Sequence, residues 1–344
     1  NTSDLDFFTP FDNQGTVDVI NGSNFFTNEP TTLSGTGVIN VDAGGLYQID
    51  DGNSSSLTLS GTPSITGFGT VAVDANSIFD VAVALVMDPN LTLVMNDGGT
   101  INNAQNLTIP NTFDILSDAV INGSSTFITP GSSTTTFSGA NTLPGVNNDL
   151  VLNVNWDSNG IFNFDSSDGD MDIQTFVFTN NGTMNFNNTS GGADILNATS
   201  SIISLVNNGT MNVNPSTNLD LFTPLDNFGQ VNVQGTSIFN TDKVTTNNGI
   251  IDIAAGATYL IRKGSGSDSI LRLNASSSIT GTGIWQIDTG SVLDAFAASS
   301  VGAALTLEMF DGSAITNAQN LRLPDTFNIL GGTISGSGTW VTQA

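Results

Sequence analysis

Asn207-Asn208-Gly209-Thr210-Met211-Asn212-Val213 decides how this chain reads: a turn pair opens it, and apolar, polar and apolar residues alternate behind. Near-copies stand at Asn13-Gln14-Gly15-Thr16-Val17-Asp18-Val19, Asn180-Asn181-Gly182-Thr183-Met184-Asn185-Phe186, Asn227-Phe228-Gly229-Gln230-Val231-Asn232-Val233 and Asn247-Asn248-Gly249-Ile250-Ile251-Asp252-Ile253, with a weaker one at Asn159-Gly160-Ile161-Phe162-Asn163-Phe164. Gly160, Gly182, Gly209, Gly229 and Gly249 follow one another at intervals of 22, 27, 20 and 20 residues. A short unit recurring at such spacing is the signature of a solenoid. Each copy encodes a tight turn and then a short strand. Asn and Gly accept the left-handed backbone that a tight turn demands, and alternation sends every second side chain inward.

A longer repeat lies over the short one. Leu5-Asp6-Phe7-Phe8-Thr9-Pro10-Phe11-Asp12-Asn13 returns as Leu219-Asp220-Leu221-Phe222-Thr223-Pro224-Leu225-Asp226-Asn227, an offset of 214. Ile65-Thr66-Gly67 returns as Ile279-Thr280-Gly281, and Asn103-Ala104-Gln105-Asn106-Leu107 as Asn317-Ala318-Gln319-Asn320-Leu321, at the same offset. The chain is therefore expected to be one continuous β-solenoid over 1–344, ordered as repeat A (1–130), unit B (131–214) and repeat A′ (215–344). A solenoid tolerates such a copy because each coil touches only its neighbours. Leu57-Thr58-Leu59 becomes Leu271-Arg272-Leu273, and Leu107-Thr108-Ile109 becomes Leu321-Arg322-Leu323. The flanking residues hold while the middle one gains a charge, so the middle position faces water. Some 12–15 coils at ~4.8 Å each would make a rod about 60–70 Å long. The segment Ile78 to Met87 looks apolar on both faces, which suggests an excursion packed over the coils or a contact patch. The 21 phenylalanines, against 3 Trp and 2 Tyr, are expected to stack in the core.

Composition agrees with an all-β chain. Charged residues make up 10%, far below the usual ~25%, and polarity comes from Asn, Thr and Ser, which suit turns and solvent-facing strand positions. Net charge is −26, and residues 1–242 hold no Lys or Arg, so phosphate neutralisation and nucleic-acid binding are excluded. The plain reading of this acidity is solubility, and the sharper one is a surface that works in salty or calcium-containing surroundings. No apolar run is long enough to span a bilayer as a helix. The chain opens on Asn1 rather than Met and shows no signal peptide, as expected of a mature or excised piece of a longer product.

The phrases Leu33-Ser34-Gly35-Thr36-Gly37-Val38-Ile39-Asn40-Val41-Asp42-Ala43-Gly44-Gly45 and Thr333-Ile334-Ser335-Gly336-Ser337-Gly338-Thr339-Trp340, with the Asn-x-Gly units, resemble the passenger repeats of large bacterial surface adhesins. These are the repeats of autotransporter and filamentous-haemagglutinin-like proteins. The resemblance implies a right-handed parallel β-helix and an extracellular or cell-surface setting but no particular ligand; surface polysaccharide or another cell is the partner expected of a protein in that setting. Its motifs are turn-and-strand grammar, and no ligand-binding residue carries over. The 214-residue superperiod departs from those proteins.

The chemistry that the residues allow is narrow. With no Cys and no His, Ser-His-Asp and Cys-His catalysis, thiolate metal sites and disulfides are excluded. Two carboxylates suffice for glycoside hydrolysis, and β-helices host polysaccharide hydrolases and lyases. Glu29 and Glu308 are the only glutamates, and Arg262, Lys263 and Arg272 the only clustered cations a lyase could use. A polysaccharide-degrading enzyme is therefore the alternative to a structural or adhesive, non-enzymatic protein. No cofactor is required. The metal candidate is Asp165, Asp168, Asp170 and Asp172, carboxylates around Gly169 that offer the hard oxygen ligands of calcium, against the plainer reading of a solvated acidic loop. Asn-x-Ser/Thr sequons at Asn53, Asn90, Asn106 and Asn181 are what an Asn-, Ser- and Thr-rich chain makes by chance. Neither end carries a polar cap: Leu5-Asp6-Phe7-Phe8 and Thr339-Trp340-Val341 are core-like. Each is expected to stack head to tail on adjoining repeats or another subunit.

Overall fold

The computed structural model describes residues 3–50, 55–139, 149–166, 169–174, 176–187, 192–196, 205–264, 269–317 and 319–342. Every regular element among them is a β-strand, and the strand pairings are parallel. The expected all-β solenoid is what forms. The chain divides into two units, Asn1–Val177 and Phe178–Ala344.

In the first unit the earlier coils contribute three strands each, where the sequence motif had pointed to one, and in two later coils Ala119–Thr129 and Leu150–Ser158 each run as a single long strand in place of two. Ser23–Thr27, Thr31–Leu33 and Val38–Val41 make one coil, and Leu46–Ile49, Ser56–Leu59 and Ser64–Gly67 lie on them strand for strand. Asn24 pairs with Leu46, Thr31 with Leu57 and Val38 with Ser64. Eight strands, from Ser3–Phe7 to Ile161–Phe164, stack on one face. The second unit repeats the scheme: Asn218–Leu221, Leu225–Asn227 and Gln230–Val233 form a coil under Ile238–Thr241, Thr245–Asn247 and Ile250–Ile253. Along one of its faces six strands stack, from Thr183–Phe186 to Ser300–Val301.

In-register stacking turns alternation into columns. Met211, Val231, Ile251 and Ile279 pair one above the next, and all are fully buried. In the first unit another such column runs Phe25, Tyr47, Val71, Leu93, Phe113. Each such side chain contributes about 1.5–3 kcal/mol by leaving water. The expected aromatic core is present: Phe25 stacks on Tyr47 at 5.6 Å, Phe239 on Tyr259 at 5.3 Å, and Phe127 meets Trp156 at 4.7 Å. Phe8, Phe68, Phe228 and Phe296 lie outside it, exposed.

The glycines of the Asn-x-Gly units serve a different purpose from the one the sequence suggested. None of Gly15, Gly209, Gly229 and Gly249 has a positive φ. A Cβ on Gly209, Gly229 or Gly249 would instead sit 2.0 Å from the carbonyl oxygen of the glycine one coil below. Close backbone approach excludes a side chain there. Left-handed turns occur at another corner, at Gly235 (φ 59°) and Gly256 (φ 82°), and even at Ser216 (φ 69°). Buried hydroxyls close these corners, as where Ser277 donates to Asn274 O at 2.7 Å.

Two further expectations meet the structure differently. Arg272 and Arg322 sit at outward strand positions, as the Leu-x-Leu pattern required. Ile78 to Met87 is not an excursion, but it is apolar on both faces apart from the outward Asp80. It forms the strands Ile78–Val81 and Leu85–Val86 of one coil, with Phe79, Val81, Leu85 and Met87 buried and Val86 exposed. Alternation continues through the corner, and the outward positions Ala82, Ala84 and Val86 are exposed apolar residues, so the segment reads as apolar throughout.

Candidate functional site

The first Asn of each Asn-x-Gly unit points into the core. In the second unit Asn180, Asn207, Asn227 and Asn247 are buried, exposed by 1% or less. The Nδ2 of Asn180 donates to Oδ1 of Asn207, that of Asn207 to Asn227, and that of Asn227 to Asn247, each at 2.7 Å. The second proton of Asn207 and of Asn227 goes to a backbone oxygen, Gln230 O at 3.1 Å and Ile250 O at 3.2 Å. A buried amide without partners would be costly, and here the stacking period supplies them to Asn207 and Asn227, while the Oδ1 of Asn180 at the foot of the column has none among the described residues. At the next step the column ends on Leu273, which pairs with Asn247.

Outside, a second set of amides runs parallel to the first. Asn208 donates to Asn181 and Asn274 to Asn248, both at 2.8 Å, while Asn232 donates to Asn212 and Asn212 to Asn185, also at 2.8 Å. The cations join these ladders. Arg262 grips Asp242 through Nε (3.0 Å) and one terminal nitrogen (2.8 Å) and reaches Asp220 at 3.1 Å, two coils down, with its guanidinium over the Phe222 ring. The Asp242 hydrogen bond, and then the two carboxylate charges, push the Arg262 pKa further up. Arg272 pairs with Asp294 at 3.3 Å. Two of the three candidate lyase cations are thus tied to carboxylates on neighbouring coils.

Of the metal candidates, Asp168 lies outside the described residues. Asp165 closes a strand, its N–H donating to Phe137 O. Asp170 N–H donates to the Asp149 carboxylate at 3.3 Å, and its carbonyl accepts from Leu150 N. Asp172 faces outward on Met171–Ile173 and accepts from Gln174. What sequence reading missed is a column through earlier coils. Asp149 N–H donates to the Asp118 carboxylate at 3.1 Å, and Asp118 O accepts from Gly98 N, so one corner carries Asp97, Asp118, Asp149 and Asp170 in sequence. Burial, more than the neighbouring charges Asp118 and Asp172, raises the Asp149 pKa, and burial ahead of the Asp97 charge raises that of Asp118. Asn-Asp-Gly and Ser-Asp-Ala at corresponding corners were the available signal, hidden by unequal coil lengths. Among the described residues no three carboxylates converge as a metal ion would need.

A groove of about 190 Å³ opens beside the first coil, lined by Leu5, Val19, Ile20 and Phe25 with Ser3 and Asp18. Among the described residues its lining brings one carboxylate and no cation.

These features define the class, a parallel β-solenoid, mostly of three strands per coil, with side-chain ladders inside and out. No protein-family model matches the chain, and no curated protein is similar to it. Among solved structures it is similar to the crystal structure of a TibC-catalysed, hyper-glycosylated TibA fragment, residues 55–350, at 11% identity over 97% of both chains and a TM-score of 0.28. At that distance the fold rests on the coils themselves.

Proposed function

We propose that the chain is a structural or adhesive element of an extracellular bacterial surface or matrix: a rigid, acidic β-solenoid rod rather than an enzyme. The observation that supports this reading is where its polar side chains go. Asparagines, arginines and several aspartates on the outer faces bond to the same face of the next coil, so they stiffen the stack instead of converging on a cleft. A polysaccharide lyase needs cations free to meet a developing negative charge, and Arg262 and Arg272 are each held by carboxylates. The resemblance of the Asn-x-Gly repeats to surface adhesins supports the setting, with surface polysaccharide or another cell as the object touched.

The test is incubation of the full chain with acidic and neutral polysaccharides, read by chain length and new reducing or unsaturated ends. No cleavage is expected, together with retention of the protein on whole bacterial cells or their isolated polysaccharide. Measurable depolymerisation would replace this reading with the enzyme.

A further inference from the structure

Gly15 is a glycine with no close contact to another coil among the described residues. Its φ is not positive, and a Cβ there would meet only the Asn13 side chain, at 4.0 Å. Gly229, 214 residues on, is glycine because a Cβ would lie 2.0 Å from Gly209 O in the coil below. The other residues of the first coil differ from their counterparts in the same way. Leu5 is 53% exposed and Leu219 is not exposed at all. Asn227 accepts the amide of Asn207, and Gly229 N–H donates to Asn207 O at 2.9 Å. Asn13 accepts instead from its own neighbour Gly15, at 3.0 Å. In the second copy the coil that satisfies these groups is Gly192–Leu196, Leu205–Asn207 and Thr210–Val213, lying under Asn218–Leu221, Leu225–Asn227 and Gln230–Val233.

We propose that the open face of the first coil is a docking surface for one further parallel β-coil bearing an in-register Asn-x-Gly step, of the kind formed by 192–213. The incoming asparagine donates to Asn13 Oδ1, its carbonyl takes the Gly15 N–H, and the next glycine's carbonyl occupies the space over Gly15. Apolar inward residues of that coil cover Leu5. This inference stands on the fold alone and holds whatever the solenoid touches.

The test compares the full chain with the same chain preceded in frame by a second copy of residues 131–214, which restores the order found before residue 215. Amide exchange in Thr16–Val19 is expected to slow by about tenfold or more in the extended chain. Gly15→Ala is expected to leave the melting of the native chain unchanged and to abolish that added protection in the extended one. The proposal is overturned by an appended segment that stays unprotected, by a first coil that exchanges at its old rate, or by a Gly15→Ala variant that keeps the added protection. It is also overturned if sedimentation shows the unextended chain self-associating through this face in a Gly15-dependent way, since the occupant is then a second copy.

Discussion

Repeats A and A′ share their coil plan and differ in what fills it. Where A places Asn13, Leu33 and Leu59 one above another, A′ places Asn227, Asn247 and Leu273. One inward position thus accepts an amide or an aliphatic side chain, provided the neighbour one coil away matches it. Repeat A holds no cation, whereas A′ holds all five, at Lys243, Arg262, Lys263, Arg272 and Arg322. The outward positions are free to change charge because they meet only water and the same position of adjacent coils. Backbone approach and hydrogen-bond matching between coils constrain the rest, and pairs of equivalent substitutions separate these two influences.

The largest contrast is expected at the glycines. Gly229→Ala forces a 2.0 Å contact with Gly209 O and should cost roughly 3–5 kcal/mol in urea unfolding, while Gly15→Ala should stay within about 0.5 kcal/mol. Equal costs would mean that backbone conformation, rather than coil-to-coil approach, selects glycine. Next come the asparagines. Asn227→Leu strands the amides of Asn207 and Asn247 and should cost about 3 kcal/mol, against about 1 kcal/mol for Asn13→Leu, whose coil neighbour is already leucine.

Charge effects are smaller. Net charge of −26 makes the chain repel itself, so sodium chloride should raise Tm by roughly 2–4 °C. A further rise specific to calcium at matched ionic strength, lost in Asp170→Asn, is the signature expected of an ion held by the 165–172 loop. The smallest effect concerns Asp118 and Asp149, whose pKa values burial raises in the folded state. A carboxylate with a raised folded pKa binds its proton better folded than unfolded. It therefore opposes folding above that pKa and is neutral below its ordinary range. Asp118→Asn and Asp149→Asn should each stabilise by a few tenths of a kcal/mol at pH 7, after solvent screening, and the gain should vanish as the pH falls through the carboxylate range.

Much of the fold was legible because short strands recurring roughly every 20–30 residues leave a linear trace. Leu57-Thr58-Leu59 against Leu271-Arg272-Leu273 placed the outward side chain correctly. The inward Asn207, Asn227 and Asn247 were not legible, since next to glycine an asparagine reads as a turn residue. Only stacking at a 20-residue register makes its burial affordable. Three strands in a coil were obscured because the outward positions between Val81 and Leu85 are filled by Ala82 and Ala84, so inward and outward residues look alike and no break shows between the strands. The carboxylate column was hidden further still, because Asp118 and Asp149 meet across 31 residues while the next coil intervenes after only 21.

The Asn-x-Gly steps also bear on chemical ageing. An Asn-Gly bond deamidates when the glycine nitrogen swings onto the asparagine side-chain carbonyl and closes a five-membered imide. In Asn208-Gly209 that nitrogen is committed to Asn180 O at 3.0 Å, and the Asn208 amide is held by Asn181 at 2.8 Å. Neither partner is at liberty to make the attack. The same dipeptides that would be weak points in a loose chain become durable once stacked, so isoaspartate should accumulate at Asn208 in denatured protein over days and stay scarce in folded protein of equal age.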